Sequence, residues 1–556
     1  MIPMTATLPL EVIPLGGCGE FGLNLTCYRY ADELLAVDCG LMFPEDDMFG
    51  VDLVLPDFSF LREHAAALKG YVITHGHEDH LGALPFALRE APAPVYATGF
   101  TLSLIREKLA ENNPGHPIKL VELIPRQLVT LGHFSVEPIR VAHSIPDSVS
   151  LALRCPAGLA VHTGDFKMVG PGLPTEGTDV ERLDELGTEG VLVAVADSTG
   201  ALEPGLCQSE EDIVEPLTDL FATTSGRILL AQFASNIERL NTVLALCKRF
   251  GRRLVLEGRS LRQYARQAEV AGFLKFPPGL RATLEELAHL PLRRAVVVVT
   301  GTQGEPGSVL RRLALRDHPN LNVGPGDTVV LSARIIPGNE RKVNRLVDLL
   351  CRQGATVVDA ARDRRVHVSG HGYREDLRRM HLLLRPRGVI PVHGRYRMLI
   401  EHAELAHQVG VERAHIPENG AVIEVTEAGM RTIGQVEVGR TLVDGKGVGD
   451  VEELVLRDRR HLAATGTVVA LITLDSSSGE LARPPELTAV GVLREQECDE
   501  ILARATRALA DTVRDLPPSA RSLPEELAEV VRRRLRGFFR KELDRKPVVI
   551  PLVIQQ

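Results

Sequence analysis

Apolar residues in this chain fall in short runs that stop, again and again, at a histidine, an aspartate or a glycine. Residues 10–15, 23–30 and 34–37 have the dense Val, Ile, Leu and Tyr content of buried strands, and Ala31-Asp32-Glu33 supplies a hairpin turn. Further strands are expected at 71–73, 95–97, within 118–141, and at 159–161 and 191–196, with a helix near 101–111. The polar residues that end these runs are Asp38, the segment Thr74 to His80, His143, Asp165 and Asp197.

From about Gly200 the rhythm changes. Helices at 209–224 and 237–249 alternate with buried strands at 228–231, 253–257, 295–300 and 328–332, the pattern of a parallel α/β unit. Polar residues gather at its strand ends, notably Phe233-Ala234-Ser235-Asn236, and parallel sheets bind ligands beyond such ends. Val366-His367-Val368-Ser369-Gly370-His371 and Val389 to His393 then return to the strand-then-histidine pattern. Residues 421–438 read as small β structure. Past a Gly/Asp-rich connection, a hairpin, two helices and a last strand at 547–554 make a small C-terminal α/β domain.

Length and composition narrow the classes. A chain of 556 residues has room for roughly three to four domains. It has 44% hydrophobic and 25% charged residues, ordinary for a globular protein. No run of about 18 apolar residues and no signal-peptide start are found, so no membrane span and a cytoplasmic location are expected. The eight cysteines include no Cys-x-x-Cys pair, which disfavours a disulfide framework or a zinc ribbon. A net charge of −9 requires any nucleic-acid contact to be focused in a channel. Arginine clusters at 252, 253, 259, 262 and 266 and again between 362 and 397; each cluster alone reads as a solvated helix face. The glycine run Gly16 to Gly22 lacks a Gly-Lys-Ser/Thr ending and is not a phosphate loop.

The densest chemistry lies in Thr74-His75-Gly76-His77-Glu78-Asp79-His80. His75 and His77 on a turn can aim at one cation, and Asp79 and His80 at a second, with Gly76 allowing the tight fold between them. Asp165 has two oxygens with which to bridge cations, and His143 becomes a credible ligand in that company. Asp38 is either a partner orienting these histidines or a turn aspartate. Asp52 and Asp444 are candidates for a separate structural cation.

The motif His75-x-His77-x-Asp79-His80, with His143, Asp165 and His393, resembles the metallo-β-lactamase superfamily. His393 comes far downstream of Asp165, leaving room for the inserted unit, and that insertion resembles the β-CASP nucleases, with Asp197, His371 and His393 at their motif A, B and C positions. Gly16-Gly17-x-Gly19-Glu20, the Phe-Ala-Ser-Asn stretch, Ser369-Gly370-His371 and Pro391-Val392-His393-Gly394 make the chain most similar to the bacterial ribonuclease J family, along its whole length.

The resemblance implies an α/β fold: a metallo-β-lactamase αββα sandwich (residues 1–205 and 363–445), an inserted parallel β-CASP domain (206–362), a linker (446–460) and a C-terminal domain (461–556). It implies two divalent metal ions, Zn2+ first and Mn2+ as the alternative. His75, His77 and His143 hold one, Asp79, His80 and His393 the other, and Asp165 bridges. Asp79, Asp165, Asp197 and His371 serve catalysis, with His371 either protonating the leaving oxygen or holding a phosphate. Phe233, Ser235, Asn236, His367, Ser369, Gly370 and His371 contact RNA phosphate. The expected activity is 5′-to-3′ exonucleolytic hydrolysis of single-stranded RNA, preferring 5′-monophosphate ends, with endonucleolytic cutting beside it.

With no tryptophan and 4% aromatics, backbone charge contacts should outweigh base stacking. The expected partners are a second copy or a higher homo-oligomer through the C-terminal domain, and RNA-degradation proteins such as a helicase. The alternatives are a mainly endonucleolytic enzyme, a small-molecule hydrolase of the same superfamily, and a catalytically inactive RNA-binding subunit. The presence of all seven candidate ligands disfavours the last.

Overall fold

The computed structural model describes residues 8–45, 47–168, 177–336, 338–445, 447–449, 453–494, 497–521 and 523–556. The chain forms two compact units. One runs up to Met42 and resumes at Leu55–Arg440; the other combines Phe43–Val54 with Thr441–Gln556.

The first unit holds two facing sheets and an inserted third. One sheet has eight strands, among them Leu10–Gly16, Leu25–Tyr30, Glu33–Val37 and Leu68–Val72. The facing sheet has seven, including Phe134–Arg140, Val149–Cys155, Gly158–His162, Val191–Asp197 and Gly388–Val392. Tyr28, Leu35, Val37 and Val72 from one meet Val136, Leu151, Val193, Val195 and Ile390 from the other in a continuous apolar core. Leu183 and Leu186, Leu377 and Met380, and Leu405 bring three helices onto the outer face of the second sheet, clustered with Val161, Ala194 and Val389. On the other flank, helix Gly99–Glu111 lies against strands Val95–Ala97 and Leu120–Glu122. This is the α/β sandwich expected from the sequence.

Strand register sets where the polar ends fall. Val37 is paired in parallel with Val72, so Asp38 and Thr74 emerge side by side. In the second sheet His162 pairs with Val195, and Asp197 with Val392, all in parallel. Asp165, Asp197 and His393 therefore leave the sheet at one edge. The inserted unit is an all-parallel sheet in the order Arg253–Glu257, Ala295–Val299, Ile228–Ala231, Thr328–Leu331, Thr356–Val358. Its near-continuous valine and leucine runs are what a sheet covered on both faces requires.

In the second unit, strand Thr467–Leu474 pairs antiparallel with Glu486–Val490 and parallel with Val548–Gln555. Its inner face packs Val468, Ala470 and Ile472 against Leu509, Val513, Leu527, Val531 and Phe539 of two helices. Residues 453–465, mostly within the stretch expected as a linker, form a helix; positions 446 and 450–452 of that stretch lie outside the described residues. The loop after Met42 joins this unit: Asp52 N–H donates to Val443 O at 2.8 Å, and Arg459 donates to Phe49 O at 2.9 Å. Among the described residues no helix is long and apolar enough to cross a membrane.

Candidate metal centre

The turn after strand Leu68–Val72 carries His75 and His77, and the short helix Glu78–Leu81 begins at once, placing Asp79 and His80 in its single turn. The loop from Asp38 presses against this turn so closely that a Cβ on Gly40 would lie 1.6 Å from Asp79 O. Only glycine permits that approach. Asp38 and His393 both hold left-handed backbone, φ 61° and 54°.

Each histidine is oriented through one nitrogen. His75 Nδ1 lies 3.0 Å from Thr74 Oγ1, whose hydroxyl donates to Asp38. His80 Nδ1 donates to Asp38 Oδ2 at 2.7 Å, His143 Nδ1 to Gly370 O at 2.7 Å, and His393 Nδ1 to Thr199 Oγ1 at 2.7 Å. His77 is reversed, with Nε2 3.0 Å from Ser235 Oγ. The opposite nitrogens converge: His77 Nδ1 is 3.0 Å from His75 Nε2 and 3.1 Å from His143 Nε2. In His75, His77 and His143 the outward nitrogen is bonded to oxygen and the inward one presents a lone pair, and three lone pairs converging on one point suit a cation.

The ligand atoms of His75, His77, His143 and Asp165 lie within 4.8 Å of one another, as do those of Asp79, His80 and His393. A third group joins Asp165, Asp197, His371 and His393. Asp165 Oδ2 stands 3.6 Å from His75 and His143, 3.3 Å from His80 and 3.7 Å from His393, so one oxygen faces both sets. Donor type and placement fit a pair of divalent cations.

Electrostatics divide the histidines. Burial drives His75 and His143 well below the usual imidazole value and His77 down to about 4, which keeps them neutral. Burial also opposes charge on His80 and His393, but Asp165, joined by Asp38 and Asp79 at His80 and by Asp197 and Asp79 at His393, outweighs it and raises both. His371 behaves likewise: burial is overcome by Asp197 and Asp165, and its Nδ1 donates to Asp197 Oδ2 at 2.9 Å. Asp197 Oδ1 accepts from the N–H and hydroxyl of Thr199. Behind it, Ser198 Oγ is 2.9 Å from His402 Nδ1, and His402 Nε2 is 2.8 Å from His381 Nε2.

The residues expected to touch phosphate divide. Ser369, Gly370 and His371 turn beside the ligands: Ser369 Oγ accepts from His371 N–H at 3.1 Å, and a Cβ on Gly370 would meet His143 Cε1 at 2.9 Å. Ser235 faces His77. Asn236 is engaged in the inserted domain, capping helix Ile237–Arg249 and reaching Glu210 at 3.3 Å. His367 Nδ1 lies 3.5 Å from the buried Arg239, and Phe233 is half-buried before Ser235.

Asp52 and Asp444 join no metal-capable group among the described residues. Asp52 accepts from Gly445 N–H at 2.8 Å, and Asp444 is paired with Arg459 at 2.6 Å. Sequence reasoning missed Asn24, whose amide donates to Asp79 O at 3.0 Å and reaches His80 Nε2 at 3.2 Å, as well as Thr199, Tyr264 and the Glu210–Arg239 pair.

Four family models match: "Ribonuclease J, beta-CASP domain" over residues 225–350, "Ribonuclease J C-terminal domain" over 454–556, "Zn-dependent metallo-hydrolase RNA specificity domain" over 360–417, and "Beta-lactamase superfamily domain" over 37–200. Ribonuclease J of Thermus thermophilus is 38% identical across 98% of this chain and 95% of its own length. The chain belongs to the ribonuclease J family. Ribonuclease J2 of Bacillus subtilis is 35% identical across 98% of both chains. As a ribonuclease J family member with an intact His/Asp cluster, the chain is a metal-dependent hydrolase acting on RNA. A solved structure of a protein of unknown function from Enterococcus faecalis shares the fold, with TM-score 0.53 and 17% identity over 75% of this chain and all of that one.

Proposed function

We propose that this chain degrades and matures single-stranded RNA from the 5′ end, favouring 5′-monophosphates, and also cuts internally. The observation that carries the reading is the meeting of the turn Ser369-Gly370-His371 with the ligand set, through His143 on Gly370 O and His371 on Asp197. The Ser369 hydroxyl and the His371 imidazole there offer donors to a terminal phosphate beside the ligand set.

His75, His77 and His143 hold one cation, Asp79, His80 and His393 the second, and Asp165 faces both. Zinc is favoured by the five imidazoles in this set. When bound, the two cations acidify water toward neutrality and neutralise charge on the phosphate. The chain does the rest. Asp197 accepts from His371 Nδ1 and, with Asp165, favours the charged imidazole, which leaves Nε2–H to protonate the departing 3′ oxygen. Products then carry a 5′-phosphate and a 3′-hydroxyl.

The C-terminal sheet leaves Val490, Ile550, Leu552 and Ile554 exposed, alternate residues on one face, and this supports association of copies through that unit. Eight unpaired cysteines suit a reducing cytoplasm.

The test is to incubate end-labelled 5′-monophosphorylated and 5′-triphosphorylated RNA with the protein, with and without chelator. Metal-dependent release of mononucleotides, faster from the monophosphate, is expected. Release that ignores the 5′ end and survives chelation refutes the reading.

A further inference from the structure

The turn His75-Gly76-His77 belongs by sequence to the sandwich, yet two of its polar atoms are held from the inserted domain. Tyr264, on helix Arg259–Ala271, donates its hydroxyl to Gly76 O at 3.1 Å. Ser235 Oγ, just past strand Ile228–Ala231, sits 3.0 Å from His77 Nε2. His77 is the one ligand histidine turned to present Nδ1 inward, so its Nε2 carries the proton and donates to Ser235. A histidine on a turn has a free ring rotation, and this bond removes it.

The contact is stiff. Tyr264 is buried. Its helix is moored to helix Gly99–Glu111 by Arg266 and Gln267 on Glu107, and Phe273 lies edge-on to Phe100 with centroids 5.6 Å apart. Behind the turn, a Cβ on Gly76 would meet Leu104 of that same helix at 2.4 Å. The metal turn is therefore clamped between the sandwich helix and the inserted domain.

We propose that Ser235 and Tyr264 are positioning residues for the His75, His77 and His143 site, so that docking of the inserted domain sets how tightly that site holds its cation. The inference rests on the ligand set proposed above. Binding linkage follows: RNA that moves Ser235 changes metal affinity, and metal changes RNA affinity by the same factor. Loss of an outer partner of a ligating histidine weakens metal binding roughly 10–100-fold.

The test titrates metal-free, full-length Tyr264→Phe and Ser235→Ala with Co2+, in the absence of RNA, following visible absorption and heat. One of two Co2+ equivalents should bind at least tenfold more weakly with an altered spectrum, while the metal-free melting temperature stays near wild type. With RNA, Tyr264→Phe should lower kcat at limiting metal, and excess metal should restore it. Wild-type Co2+ affinity and spectrum in both variants overturn the inference. So does a raised RNA KM in Ser235→Ala with metal binding intact, which makes that residue a substrate contact alone. His77→Ala separates the layers: if it too binds two Co2+ ions as wild type does, the ligand assignment fails. If it alone loses one, only the positioning role fails.

Discussion

Asp38→Asn is a sharp perturbation because it changes charge and hydrogen-bond direction and almost nothing else. Asn tolerates the left-handed backbone that Asp38 adopts at φ 61°, so no strain is added. Asp38 is 1% exposed and accepts from Thr74 N–H at 2.8 Å, from the Thr74 hydroxyl, and from His80 Nδ1 at 2.7 Å. An amide cannot accept all of these. If its nitrogen faces His80, the imidazole proton is forced onto Nε2, the atom 3.3 Å from Asp165 that the cation needs. If its oxygen faces His80, the nitrogen meets the Thr74 N–H, donor against donor. Either way one charge-assisted bond is lost, about 1.5–3 kcal/mol, which at 1.4 kcal/mol per decade is roughly a 10–100-fold loss of metal affinity. Calorimetric Zn2+ titration of the metal-free protein measures it, with far-ultraviolet dichroism to check the fold. A folded Asp38→Asn protein that binds two Zn2+ ions as tightly as wild type refutes the reasoning.

Arg239 is fully buried, paired with Glu210 and donating to Ser332 O at 2.7 Å, so Arg239→Met should destabilise the fold by about 3–5 kcal/mol in urea unfolding. Adding Glu210→Leu should restore much of that; no recovery would show that the stranded carboxylate is not the cause. Asp197→Asn should lower kcat at least ~10-fold with little change in RNA KM, because the one amide oxygen can serve His371 or Thr199 but not both; an unchanged kcat contradicts the positioning role. His402, held by burial down to about 4, is neutral when folded and titrates near ~6.5 when unfolded. Its contribution is full above ~6.5 and is lost as pH falls toward 4, so wild type should lose about 3 kcal/mol over that window relative to His402→Gln. A stability difference independent of pH excludes this.

The candidate ligand set was legible because all seven of its members follow strands or crowd one turn, where a polar residue after an apolar run is conspicuous. The inserted domain was legible from the change of rhythm near Gly200. What escaped were partnerships across the chain. Tyr264 looks like one more core aromatic of an amphipathic helix until its hydroxyl is found on Gly76 O. Arg239 gave no sign that it would lie fully buried against Glu210. Arg252, grouped by sequence with a solvated face, is 4% exposed and donates to Gly226 O at 2.8 Å. Composition cannot tell a buried guanidinium on carbonyls from one in water. The helix at 453–465 was hidden by the Gly/Asp-rich residues just before it, which read as a connection.

The segment Phe43–Val54 belongs to the unit completed by Thr441–Gln556. The C-terminal unit is thus not a bead that a stop codon can remove. A chain ending after Arg440 would keep Val51 and Val54, buried at 7% and 0% exposure, without the rest of strand Arg440–Asp444, which pairs with strand Leu53–Pro56. Any attempt to express the nuclease core alone therefore has to excise two segments or replace that loop.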